Sequence, residues 1–82
     1  MTVSWSRRVK NYEAHEFLVV EWYDGASWQP VEATQDTTWG DVTFVLPAAA
    51  GDNAAFALRC STNAKGKNER AELDDVRVVG SL

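Results

Sequence analysis

Two adjacent carboxylates, Asp74 and Asp75, lie inside "NERAELDDVRVVG" (68–80), a stretch that otherwise reads as a β-strand. Ala71 and Leu73 are apolar at odd positions, Val76 and Val78 at even ones. Side chains along a strand alternate faces with a period of two, so the apolar set changes side at the aspartates. Either the chain bulges there, or one carboxylate is pushed toward the core. A bulge would leave both acids solvated. The other bland reading is an ion pair with Arg7 or Arg59, each placed mid-strand. Paired carboxylates can also cleave glycosidic bonds, if they face each other about 5–10 Å apart across a cleft. Glu21, Glu32, Asp74 and Asp75 are the acids available, and nothing in their spacing selects a pair. His15 is the lone histidine and reads as a surface residue. Cys60 has no histidine placed by a motif to activate it, so it reads as a small inward-facing apolar residue. "NAKGKN" (63–68) lacks the strand–loop–helix setting of a phosphate loop and reads as an exposed turn. No catalytic constellation emerges, and a non-enzyme is expected.

The elements that must carry these residues are strands. The 82 residues suffice for one domain, 1–82. Area scaling gives roughly 60–65% of the unfolded surface buried on folding, a modest core. The charge of −4 and pI near 4.7 argue against a nucleic-acid partner, which needs a basic face. No apolar run approaches the ~20 residues of a membrane span, so no membrane insertion is expected. The single cysteine allows no internal disulfide. The opening residues lead straight into a strand pattern rather than a leader.

Six strand-like segments appear, with no helical period. In 2–9, Val3, Trp5 and Val9 share one face, and Arg7 interrupts it. "EFLVVEWY" (16–23) is apolar on both faces, which predicts a central strand. "DGAS" (24–27) is a tight loop with Gly25 free to take positive φ. "WQPVEAT" (28–34) contains Pro30, which predicts an edge strand or a bulge. In 39–47, Val42, Phe44 and Leu46 point inward. In 54–62, Phe56, Leu58 and Cys60 share a face. Residues 10–15, 35–38 and 48–53 read as loop or turn. Short strands with regular turn signals predict an antiparallel β-sandwich.

The strings "FLVVEWYDGASWQPV", "TWGDVTFVLP", "FALRC" and "AELDDVRVVG", in that order, resemble the C-terminal portion of MAM-like and carbohydrate-binding-like jelly-roll modules of secreted bacterial proteins. The resemblance spans about residues 3–80. It implies an all-β jelly-roll sandwich of about six strands, truncated at its N-terminus, because complete modules carry strands before the position of Thr2. It also implies a structural calcium ion at the D-D-V motif, on Asp74 with Asp75 second. Calcium takes six to eight oxygens at about 2.3–2.6 Å, and an inward carboxylate is costly unless paired or metal-bound. Trp28 and Trp39 match hairpin and strand-start positions, with Trp28 packing over the core. Tyr12, Trp22 and Tyr23 remain as ring faces for a ligand.

The function expected is a non-catalytic accessory module that recognises a polysaccharide or protein for a larger extracellular or cell-surface protein. The alternative is a structural element that dimerises or pairs through an open sheet edge.

Overall fold

The computed structural model describes residues 1–80. Six strands form: β1 (Thr2–Lys10), β2 (Leu18–Tyr23), β3 (Trp28–Thr34), β4 (Gly40–Val45), β5 (Ala57–Thr62) and β6 (Arg70–Val79). A single 3-10 turn, Ala48–Asp52, follows Pro47. No described helix is long and apolar enough to cross a membrane.

The strands pair antiparallel into two three-stranded sheets. The first runs β4-β1-β6 and the second β3-β2-β5. β2 is central in its sheet, as its two apolar faces predict. Val3 and Trp5 from β1 meet Val20 and Trp22 from β2 in one core, closed by Leu46 and Ala50. Two sheets sharing one apolar interior make a β-sandwich arrangement. The expectation of an edge or a bulge at Pro30 is met on both counts: β3 is an edge, and its register with β2 shifts between Glu32 and Pro30.

The phase break in the closing strand is a bulge. Ser6 pairs with Asp74 and Ser4 with Arg77, so Asp75 and Val76 together oppose Trp5 alone. Asp75 takes φ 54°, a left-handed conformation that aspartate tolerates better than most residues. Before the bulge, Ala71 and Leu73 sit opposite the buried Val9 and Arg7; after it, Val78 sits opposite the buried Val3. The extra residue resets the alternation, and both carboxylates stay exposed.

Two packing expectations fail. Cys60 is exposed, although it lies in register with the buried Val20. β5 is an edge strand, so sharing a face with core residues does not guarantee a cover from the opposite sheet. Partial burial still pushes the Cys60 thiol pKa up. Trp28 does not pack over the core either; it lies on the outer face of the second sheet, beside Tyr23.

Arg7 does more than interrupt an apolar face. It is buried, 8% exposed, and donates from Nε and Nη2 to the Glu32 carboxylate at 2.8–3.2 Å. Its Nη2 also lies 2.9 Å from Asp36 Oδ2. The Glu32 hydrogen bond is the main reason its pKa is raised. Gly40 faces Arg7 across the ladder, and any β-carbon there would collide with the guanidinium.

Candidate functional site

The outer face of the second sheet gathers residues able to bind. Leu18, Val20 and Trp22 face the core, so Val19, Glu21 and Tyr23 face out. Register then sets Tyr23 between Trp28 and Ala57, and Glu21 between Pro30 and Arg59. The Tyr23 and Trp28 rings lie 5.2 Å apart, tilted by 50°. The Arg59 guanidinium sits 4.0 Å over the Trp28 ring. Its Nε and Nη2 donate to Glu21 Oε1 at 3.1 and 2.9 Å. Two aromatic rings, a guanidinium and a carboxylate thus form one half-buried platform, with the rings tilted and Arg59 over one face of Trp28. Such a surface can pack its open ring edges and faces against an apolar or sugar surface, beside the Arg59–Glu21 charged pair.

The hairpin loop holds this platform in place. Asp24 Oδ1 accepts the Ala26 and Ser27 backbone N–H groups, each at 2.8 Å, and Oδ2 accepts Gln29 Nε2 at 2.8 Å. The Ser27 and Ala26 amides hold the Asp24 carboxyl pKa below the usual range. Gly25 takes φ +103°, which a side chain would strain. The loop therefore fixes Trp28 against Tyr23.

The three predicted ligand residues do not come together. Tyr23 belongs to the platform. Trp22, 9% exposed, is in the core, 6.2 Å from the Phe56 ring centroid. Tyr12 lies at the other end of β5, its hydroxyl 2.7 Å from Thr62 Oγ1. Thr62 is five residues from Ala57, the partner of Tyr23, so about 17 Å separates the two tyrosines' neighbours along the strand. Trp28, Glu21 and Arg59 were missed as a group. Their signal was present: a four-residue loop sets Tyr23 opposite Trp28, and Tyr23 alternates with the inward Trp22.

The candidate acids separate in the same way. Glu21 lies on the outer face, while Glu32 turns to the interior to meet Arg7, so these two cannot face each other across a cleft. At the bulge, Asp74 Oδ1 accepts the Asp75 amide at 2.8 Å. Asp75 Oδ1 accepts Arg77 Nε at 3.1 Å. Arg7 and Arg59, the partners considered for these acids, are committed to Glu32 and Glu21. Among the described residues, neither aspartate joins a close group of three ligating side chains. The bulge accounts for the exposure of both carboxylates, and Asp75 shares a cavity of about 360 Å³ with Asp41, Ser6 and Thr43. A calcium ion at this motif, as the resemblance implies, is expected to raise the melting temperature over that with a chelator; an unchanged temperature would remove the ion.

One acidic group does come together, where loop 11–17 meets loop 63–69. Carboxylate oxygens of Glu13 and Glu16 and a ring nitrogen of His15 lie within 4.8 Å of one another. Glu16 is buried; its Oε1 accepts the Glu13 amide at 2.7 Å. The Glu16 carboxyl also meets that of Glu69. The Glu13 amide is the main cause lowering the Glu16 pKa, and the contact with Glu16 is the main cause raising that of Glu69. Gln35 Nε2 ties this crossing to the carbonyls of Glu13, Ala14 and Glu16 at 2.9–3.1 Å.

No family model, curated protein or solved structure matches the chain.

Proposed function

We propose that this domain is a non-catalytic binding module that recognises a polysaccharide or protein surface for a larger secreted or surface protein. The observation that carries the reading is the Tyr23–Trp28 pair, held on an outer sheet face under Arg59. Aromatic rings held out of the core by a rigid hairpin are pre-organised, which limits the entropy lost on binding. A sandwich of jelly-roll type, as the sequence resemblance implies, would present such a face away from its core. The test is a glycan array together with a pull-down from polysaccharide-rich and protein-rich extracts. Tyr23→Ala and Trp28→Ala are each expected to cut binding at least about tenfold, as for anchoring aromatics at other interfaces. Retention of ligand by both variants would sink this reading.

A second reading is assembly through β6. It is an edge strand, and Val76 and Val78 are 56% and 48% exposed. An edge with unpaired backbone groups and exposed valines can add a strand from a second copy. Light scattering at rising concentration separates the two readings: a strict monomer at the highest concentration removes assembly.

A further inference from the structure

The chain is acidic overall, yet four cations gather at one end of the first sheet. Arg8 and Lys10 alternate on the outer face of β1, about 7 Å apart. Register sets Lys10 beside Arg70 and Arg8 beside Glu72. Lys67 arrives from the loop before β6. Two adjacent cavities of about 340 Å³ each share Lys10, Asn11 and Arg70 as walls; Lys67 lines one and Arg8 the other.

The charges here do not cancel. Glu72 is divided between Arg8 and Arg70, each at 3.2 Å. The Glu69 carboxyl is turned back onto the Gly66 amide and Glu16. Lys10 and Lys67 form no ion pair among the described residues. The loop between them is built rather than loose: Asn11 takes φ 63°, and its Nδ2 donates to the Asn68 carbonyl at 2.8 Å.

An aromatic ring stands beside these cations. Trp39 is 45% exposed, and Arg8 lies 4.7 Å from its ring centroid. The core does not use this ring. Cations next to an open indole combine two recognitions: ammonium and guanidinium groups take acid oxygens, and the ring takes an apolar sugar face.

We propose that this end of the first sheet binds an anionic polysaccharide, with Lys10, Lys67 and Arg70 on its acid groups and Trp39 against a sugar ring. The acid groups are carboxylates or sulfates, since both offer the same oxygens to these cations. A nucleic acid is the competing polyanion, and titration with oligothymidine tells the two apart. The site is separate from the Tyr23–Trp28 platform, which lies on the other sheet.

The test is calorimetric titration with polygalacturonate, dextran sulfate, neutral dextran and oligothymidine, at low and high salt. Binding of polygalacturonate or dextran sulfate, weakening with salt, is expected, and none of neutral dextran. The stronger of the two identifies the acid group. Removing each exposed cation should cost roughly threefold, so Lys10→Ala with Arg70→Ala should cost about tenfold and flatten the salt dependence. Trp39→Ala should weaken binding at both salts and leave the salt dependence unchanged. Tyr23→Ala should leave this binding intact, which separates the two sites. Lys10, Trp39 and Arg70 are exposed and Tyr23 is half-buried; circular dichroism checks that the variants fold. Failure of both polyanions to bind, insensitivity to the cation substitutions, or binding of oligothymidine as strong as that of the polysaccharides would overturn the proposal.

Discussion

Arg7→Met is expected to lower the unfolding free energy by about 3 kcal/mol, because it strands Glu32 in the interior without its partner. Breaking a buried pair costs more than the pair contributes, since one charge remains desolvated and unmatched. The Arg7 and Glu32 side chains are 10% and 16% exposed, so water cannot take over readily. Asp36, 58% exposed, can return to solvent and limits the loss. Domains of this size hold about 5–10 kcal/mol in total. The melting temperature should therefore fall by about 15 °C. Denaturant unfolding of Arg7→Met, Glu32→Met and the double variant checks the cause. The double variant should regain much of the loss, because both charges then leave together. A single-variant loss under about 1 kcal/mol would mean that the pair behaves as an exposed one.

Trp22→Ala is expected to cost about 4 kcal/mol, the range for deleting a buried tryptophan. The ring fills the centre of the core between the sheets and meets Phe56. The space left behind is bounded by β-strands that cannot close over it freely. Trp28→Ala should cost far less, since that ring covers only the outer face of the second sheet. Chemical denaturation of the two variants side by side decides the matter. Equal losses would place both tryptophans in the core and remove the platform. The contrast separates the two roles that tryptophan plays in this chain.

The strands were legible because they rest on local alternation. "EFLVVEWY" announces a central strand through its two apolar faces, and Pro30 announces both an edge and a bulge. The fault at Asp74-Asp75 was legible as a fault. Its cause was not, because choosing bulge over ion pair depends on where Arg7 and Arg59 go. Their partners, Glu32 and Glu21, are 25 and 38 residues away in sequence, and only folding brings them together. Alternation gave Cys60 its face but could not say whether the opposite sheet covers that face. The motif position of Trp28 points to the core, whereas the loop length pairs it with Tyr23 on the outer face. The cationic end was hidden for a similar reason: Arg8 and Lys10 lie some 60 residues from Lys67 and Arg70, and overall composition reports only the acidic sum.

The bulge at Asp75 also bears on how far pairing along the β6 edge can extend. Ten residues of unbroken edge strand, alternating valine and charge, would be a template for stacking further chains into cross-β fibrils. A left-handed residue in the middle divides that edge into two short runs that share no common phase. A second strand can follow one run but loses register at the other. The two aspartates add like charge where successive copies would lie in line. What first appears as a flaw in the alternation acts as a stop signal against indefinite growth.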